Sequence, residues 1–168
     1  SGALFAMNPA SAVNMHNTAV GYDAGNAVTT GVRNTIIGGL AGDATTTGSF
    51  NTAVGSNSLG ANTTGEENVA MGDNAMLDNT TGSKNTALGT SSLANNTTAG
   101  SNTAVGYAAL NANTTGQFNT AVGTNTMVAN TTGRDNAALG EVALAANTTG
   151  DDNTAVGVSS LRNNTTGE

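Results

Sequence analysis

The stretch "NTAVGYAALNANTTGQFNTAVG", Asn102–Gly123, holds one complete 17-residue unit and the first five residues of the next unit. Its first asparagine, the anchor, recurs every 17 residues without an insertion. The nine anchors are Asn17, Asn34, Asn51, Asn68, Asn85, Asn102, Asn119, Asn136 and Asn153. Counted from the anchor as position 1, the unit reads N-T-A-V-G-x-x-A-L-x-x-N-T-T-G-x-x. An unbroken period over nine copies predicts a repeat architecture.

The unit predicts a β-solenoid. Seventeen residues are too few for helix-pair repeats, which need more than about 30. Threonine and valine favour strands, while glycine and asparagine favour tight turns, so one unit is expected to hold two strands of about four or five residues. Units stacked about 4.8 Å apart make a rod roughly 40 Å long. The sequence therefore predicts an all-β fold, a parallel β-solenoid of nine 17-residue coils.

The variation of residue type at each position of the repeat separates interior positions from exterior ones. Position 5 is glycine in every copy, position 4 is always apolar, and position 9 is leucine or methionine in seven copies. Every charged residue falls at position 6, 7, 10, 11, 16 or 17, which predicts that these positions face solvent. We expect the alanines and valines of positions 3 and 4 to fill the interior. The position-9 stripe then either faces another copy of the chain or meets the position-4 stripe inside a flattened coil.

In-register stacking also predicts two asparagine ladders. The anchors would bond amide to amide along the stack, as in cross-β arrays. A second, partial ladder runs through position 12, from Asn62 to Asn164. We interpret both ladders as structural rather than ligand-binding.

The repeats cover residues 17–168, and residues 1–16 are expected to be an N-terminal cap or a junction to an upstream domain. Leu4, Phe5 and Met7 offer apolar cover for the first coil. Glu168 is the sixteenth residue of the ninth copy, so we expect the chain to be a fragment of a longer fibre.

Composition excludes several classes of partner. A net charge of -7 argues against nucleic acid and anionic membranes, and no apolar run is long enough to span a bilayer. The absence of cysteine excludes disulfides and thiolate metal sites.

Each coil has about two substantial apolar side chains, which is few for an isolated rod. Association of three chains, which would bury one apolar stripe, is therefore favoured over a monomer.

The segment Asn102–Gly123 resembles the repeats of phage tail fibres and of bacterial surface fibres that end in an endosialidase-type chaperone. It is also similar to the left-handed β-roll heads of trimeric autotransporter adhesins, although its repeat is longer. The resemblance spans the repeat region. It implies a left-handed β-roll, an obligate homotrimer and a role in attachment, outside the cell on a virion tail fibre or a bacterial surface. A glycan or protein on a cell surface would be the receptor.

Residues for catalysis are not apparent, and we predict no enzyme activity, no cofactor and no metal site. His16 is the single histidine, and no nucleophile–base pair can be built from it. The acidic pairs Glu66–Glu67 and Asp151–Asp152 provide too few oxygen ligands at close spacing for calcium and are interpreted as solvated. Seven Asn-Thr-Thr triplets match the glycosylation sequon, and the structural turn of the repeat also accounts for them.

Four aromatic residues are the candidates for surface binding, and packing on neighbouring coils is the simpler interpretation of them. They are Tyr22 and Tyr107 at position 6, and Phe50 and Phe118 at position 17. Arg33 lies one coil below Phe50, a placement that predicts a cation–π pair.

Two other functions remain open. An ice-binding solenoid is the alternative, because the paired threonines of positions 13 and 14 stack into long ranks. Only one threonine of a pair can line a given face, so the position-2 threonines would have to supply a second rank on that face. A polysaccharide depolymerase is less favoured, since a repetitive rod offers no acidic cleft.

Overall fold

The computed structural model describes residues 2–5 and 14–167. Each repeat forms one coil of a parallel β-solenoid, and each coil contributes one three-residue strand, so the predicted fold is confirmed. The strands are β1 Thr18–Val20, β2 Thr35–Ile37, β3 Thr52–Val54, β4 Val69–Met71, β5 Thr86–Leu88, β6 Thr103–Val105, β7 Thr120–Val122, β8 Ala137–Leu139 and β9 Thr154–Val156. Within the described ranges there is no helix, and hence none long and apolar enough to cross a membrane.

The strands form a single nine-stranded parallel sheet in chain order, from β1 to β9. Each residue pairs with the residue 17 places later, as Thr103 does with Thr120 and Val105 with Val122. Because no coil carries an insertion, this shift is constant along the sheet. Every side chain therefore lies above its own counterpart in the preceding coil.

The second strand predicted for each coil is absent from the described residues. Residues at positions 7, 9 and 17 have positive φ, as at Ala108 (52°), Leu110 (51°) and Phe118 (59°). This left-handed conformation interrupts an extended strand, so the rest of the coil is a series of bends. The bends are nevertheless joined between coils by backbone hydrogen bonds. The N–H of Leu110 donates to the carbonyl of Thr126 at 3.0 Å, and that of Ala112 to Val128 at 3.2 Å.

The core consists of side chains at positions 3, 8 and 9. Ala104, Ala109 and Leu110 show this in coil 6, where each is fully buried. The prediction that positions 3 and 4 both face inward was wrong. Successive strand residues point to opposite sides, so when the position-3 alanine is inside, the position-4 aliphatic side chain must be outside. The position-9 stripe, considered above as a surface for a partner, lies instead within the chain.

Coils 1 and 2 fill the core differently. Position 9 is glycine there, Gly25 and Gly42, while Ile36 replaces the usual alanine at position 3. A Cβ added to Gly25 would lie 3.0 Å from the Ile36 Cδ1, and one added to Gly42 would lie 3.3 Å from it. The larger Ile36 side chain therefore occupies the space that leucine or methionine fills elsewhere.

Residues before the first anchor also pack on coil 1. The Leu4 N–H donates to the Ala24 carbonyl at 3.0 Å, and the Leu4 side chain packs against the core. Phe5 is 78% exposed, and Met7 lies outside the described residues. Met15 is buried, and its carbonyl accepts a hydrogen bond from the Arg33 N–H at 2.7 Å.

Truncating a core leucine should cost far more stability than truncating an outer one. We expect Leu110→Ala to lower the free energy of unfolding by about 2–5 kcal/mol, because it leaves a cavity between alanine-lined coils. Leu88, at position 4, is 43% exposed. Leu88→Ala is the matched control, expected to cost under about 1 kcal/mol in the unassembled chain. Urea denaturation of both variants, at a concentration below that at which the chains associate, measures the difference, and equal costs would contradict the inside–outside assignment.

Candidate interaction surface

The outer face of the sheet, hereafter the outer face, carries the side chains of positions 2 and 4. Position 2 is threonine except at Val69 and Ala137. Position 4 supplies Val20, Ile37, Val54, Met71, Leu88, Val105, Val122, Leu139 and Val156. Since the strands are in register, the two positions form two parallel ranks along the sheet. Eight steps of about 4.8 Å make each rank about 38 Å long.

The outer face is uncharged and markedly apolar. Neither position 2 nor position 4 holds a charged residue in any coil. Among the position-4 side chains, Val20 is 58% exposed, Leu139 is 51% exposed and Val156 is 69% exposed. The position-4 side chains are exposed in six coils and half-buried at Val54, Val105 and Val122, so this face is the candidate interaction surface of the chain. Sequence reasoning missed this surface, although the period-2 alternation of a strand was the signal that could have found it.

A shallow depression of about 230 Å³ interrupts the outer face near its C-terminal coils. It is lined by Thr120, Val122, Ala137, Ala138, Leu139, Thr154 and Val156. Ala137, one of its lining residues, stands where seven other coils have threonine.

The four candidate aromatic residues lie beside this face rather than on it. Position 6 follows each strand by two residues, and position 17 precedes each strand by two. Tyr22, Phe50, Tyr107 and Phe118 are all exposed, at 47–66%. They do not form one cluster, because five coils, or about 24 Å, separate the level of Tyr22 from that of Tyr107. Their role in binding stays a prediction.

The predicted cation–π pair is present. The Arg33 guanidinium carbon lies 5.4 Å from the centroid of the Phe50 ring, within the range of an attractive contact. Phe50 therefore has a packing partner on the coil below, as the simpler interpretation of the aromatic residues expected.

The asparagine side chains of both ranks, the anchors at position 1 and the second rank at position 12, form hydrogen bonds within the chain, but with different partners. The anchor Asn102 accepts the backbone N–H of Asn119 on its Oδ1 at 2.9 Å, and its Nδ2 donates to the Gly116 carbonyl at 2.8 Å. The amide-to-amide bonds predicted for the anchors join some neighbouring anchors, as from Asn136 Nδ2 to Asn119 Oδ1 at 3.1 Å, whereas such bonds are continuous in the second rank. There the Asn113 Nδ2 donates to the Asn96 Oδ1 at 3.0 Å. These second-rank amides belong to the Asn-Thr-Thr sequons and are buried from Asn62 to Asn147, so the folded chain hides those sequons.

The two threonines of each pair are not equivalent. The position-13 hydroxyl donates to the carbonyl of the position-13 residue in the next coil, as Thr114 Oγ1 does to Thr131 at 3.1 Å. Position 14, represented by Thr115, is exposed. Only one hydroxyl of each pair is therefore free of a contact to the backbone of the next coil.

Ionisable groups do not converge on a site. In the described part of the chain, every charged side chain is exposed or half-buried, as predicted for their positions. No three acidic or imidazole side chains are grouped there as a metal would require. His16 is exposed, as are Glu66, Glu67 and Asp152.

The carboxyl group of Asp43, at position 10 of coil 2, has a shifted pKa. Burial raises the pKa of Asp43 above its ordinary value, and the negative charge of Asp23 raises it further, against an opposing effect of backbone hydrogen bonds. The charged form is therefore disfavoured in the folded chain. Stability from this carboxyl group is greatest below its unfolded pKa and falls as pH rises through the folded value.

Replacing Asp43 with asparagine should stabilise the coil stack at neutral pH. We expect Asp43→Asn to raise the free energy of unfolding by a few tenths of a kcal/mol at pH 7, since solvent screens this half-buried group. The gain should vanish as pH falls well below the ordinary aspartate value of 3.8, where the carboxyl group is protonated in both states. Thermal melts at several pH values measure it, with the exposed Asp78→Asn as the control. A gain that persists at low pH would show that charge is not its cause.

In comparisons with known proteins, no protein-family model, curated protein or solved structure matches the chain.

Proposed function

We propose that the chain is a non-enzymatic, adhesive segment, a shaft or a head, of a homotrimeric fibre that attaches to a host or cell surface. In this proposal the solenoid is a left-handed β-roll. The fibre lies outside the cell, on a virion tail or on a bacterial surface. The resemblance of the repeat to phage and bacterial surface fibres suggests this role.

The outer face is the observation that carries the proposal. An isolated rod would leave its aliphatic rank in water, whereas three rods around a common axis would cover it along its whole length. The charged positions of the repeat lie elsewhere, so association would bury no unpaired charge. The trimer thus uses the position-4 rank, and not the position-9 stripe.

Sedimentation equilibrium tests the assembly. We expect a species of three times the 16.3 kDa chain mass at micromolar concentration. Val105→Asp should dissociate it, because the substitution places a charge on the outer face, which is covered in the trimer. Thr98→Asp at the exposed position 14 is the control. A folded, monomeric wild-type chain at micromolar concentration would contradict the proposal.

Attachment is tested separately on the exterior positions. The fluorescently labelled trimer is presented to candidate cells and to an array of surface glycans, and we expect retention with avidity from three copies. Tyr107→Ala should weaken retention by losing an exposed ring, while Thr124→Ala, at the same position in the next coil, should not. If retention is absent on every surface, the segment is a spacer rather than a head.

Ice binding is the second candidate, and the outer face is where it would take place. The threonines of position 2 and the aliphatic residues of position 4 form two regular ranks there, whereas the paired threonines offer one free hydroxyl each. Thermal hysteresis at millimolar protein tests it. A Thr103→Lys variant should lose any activity, and the absence of hysteresis in the wild-type chain would end the idea.

A further inference from the structure

We propose that the stack opens locally between coils 5 and 6 while the coils on either side stay closed. The opening lies at the corner formed by residues 97–101 of coil 5 and 114–118 of coil 6, hereafter the coil 5–6 corner. Backbone hydrogen bonds that join other coils are missing or long there, and Ala99 is the cause. This opening is a property of the single chain and does not depend on the proposed assembly.

Three backbone hydrogen bonds join neighbouring coils at this corner, and all three are weakest between coils 5 and 6. The position-13 N–H donates to the next position-13 carbonyl at 2.8–2.9 Å elsewhere, but Thr97 donates to Thr114 at 3.2 Å. The position-14 N–H bonds to the same carbonyl at the other boundaries, whereas among the described residues Thr98 lacks this bond. The position-17 N–H bonds to the preceding coil at 2.7–3.1 Å elsewhere, but Phe118 bonds to Gly100 at 3.5 Å.

Ala99 accounts for the wider spacing. Position 15 is glycine in the other eight coils. A Cβ added to Gly82 would clash with the carbonyl oxygen of Ala99 in the next coil, and one added to Gly116 would clash with that of Gly133. Ala99 carries this Cβ and is buried. Coil 6 therefore cannot approach coil 5 at this position as closely as other neighbouring coils approach each other.

The next residue shows the direction in which the backbone of coil 5 is displaced. Position 16 carries a side chain in every other coil but is Gly100 in coil 5. A Cβ added to Gly100 would lie 2.8 Å from the carbonyl oxygen of Ser83, which is too close for a side chain. The backbone at Gly100 therefore lies close to coil 4 and correspondingly far from coil 6. The pair Ala99–Gly100 thus acts as a unit, in which the glycine fits the displacement that the alanine imposes.

The rest of the boundary between coils 5 and 6 is fully bonded. On the strand side, the Gly106 N–H donates to the Leu88 carbonyl at 2.8 Å. In the second rank of asparagines, the Asn113 Nδ2 donates to the Asn96 Oδ1 at 3.0 Å. Backbone with fewer and longer hydrogen bonds opens at a lower free energy than the structure around it. The coil 5–6 corner therefore opens while the strands stay paired, and the rod bends about its bonded side.

Amide hydrogen exchange of the folded chain, resolved to single residues by fragmentation mass spectrometry, measures this opening. After correction for intrinsic rates, we expect the Phe118 amide to exchange about tenfold or more faster than its position-17 counterparts Lys84 and Asp135. The Gly106 amide, on the strand side of the same boundary, should stay protected. Equal rates at the three position-17 amides, or equally fast exchange at Gly106, would overturn the inference.

A double variant that repairs the corner tests the cause. Ala99→Gly with Gly100→Ser gives coil 5 the Gly-Ser sequence that coil 4 has at positions 15 and 16. We expect exchange at Phe118 to slow to within about threefold of that at Asp135, because coil 6 can then approach. A repaired chain that still exchanges rapidly at Phe118 would show that Ala99 is not the cause and would overturn the inference.

The converse double variant transfers the opening to the next boundary. Gly116→Ala with Gln117→Gly places the alanine–glycine pair in coil 6, and we expect the Asp135 amide to exchange about tenfold faster than in the wild type. Circular dichroism checks that the variant folds, and if it does not, the repaired chain alone decides. A folded variant with unchanged exchange at Asp135 would contradict the role of the pair.

Discussion

Gly106→Ala is expected to lower the free energy of unfolding by about 3 kcal/mol or more. Gly106 follows β6 and has a φ of 132°, a region that side-chain-bearing residues rarely adopt. A Cβ there would lie 2.5 Å from the carbonyl oxygen of Gly123 in the next coil. The clash is with backbone, which can give way only if the two coils separate. Urea denaturation monitored by circular dichroism measures the loss.

Two control glycines separate the causes of that loss. Gly39 has no neighbour within 4 Å of an added Cβ and lacks a left-handed φ, so Gly39→Ala should be nearly neutral. Gly157 has a φ of 118° but also no neighbour within 4 Å, so Gly157→Ala should show the conformational cost alone. If Gly106→Ala costs no more than Gly157→Ala, close stacking of position-5 glycines is not a constraint on the fold.

Asn102→Ala should also lower the free energy of unfolding strongly, by about 2–4 kcal/mol. It leaves the buried N–H of Asn119 without its acceptor and removes one donor from the Gly116 carbonyl. That carbonyl keeps its bond from Asn113 Nδ2, which limits the loss. Thermal and urea unfolding measure the change.

Asn95→Ala is the matched control for Asn102. Asn95 is exposed at position 11, where most other coils already have alanine. This control should be within about 0.5 kcal/mol of the wild type. A small cost at Asn102, equal to that at Asn95, would mean that the anchor amides do not hold the coils together.

The stack of coils could be predicted from the sequence because the repeats have a constant period of 17 residues. Nine anchors at equal spacing leave one simple solution, in which each coil lies on the last with a shift of 17 residues. The placement of charges followed in the same way, since burial of lone charges is too costly at any position. Neither inference required knowledge of how a single coil bends.

The path of each coil was harder to predict. Leu110, Ala108 and Phe118 adopt left-handed φ, which their residue types do not favour. This conformation is stabilised only in the stack, where backbone hydrogen bonds join the bends of neighbouring coils. Strands were therefore predicted to be longer and more numerous than they are. The assignment of valine to the interior failed for the same reason, because it was made before the position of the strand within the unit was known.

The features of the outer face restrict what it can bind. It is uncharged, regular and about 38 Å long. A small ligand would use little of such a surface. A second copy of the chain, as proposed above, would use all of it.

Spin-label distances along the exposed threonine rank test the stacked coil most directly. The chain has no cysteine, so Thr64 can be paired by double substitution to cysteine with Thr115, Thr132 or Thr149. These partners lie three, four and five coils away, which predicts distances of about 14, 19 and 24 Å, in equal steps of about 4.8 Å. An excess of unlabelled chain removes distances between copies. Distances that rise in unequal steps, or that exceed about 40 Å for Thr64 and Thr149, would contradict the nine-coil solenoid.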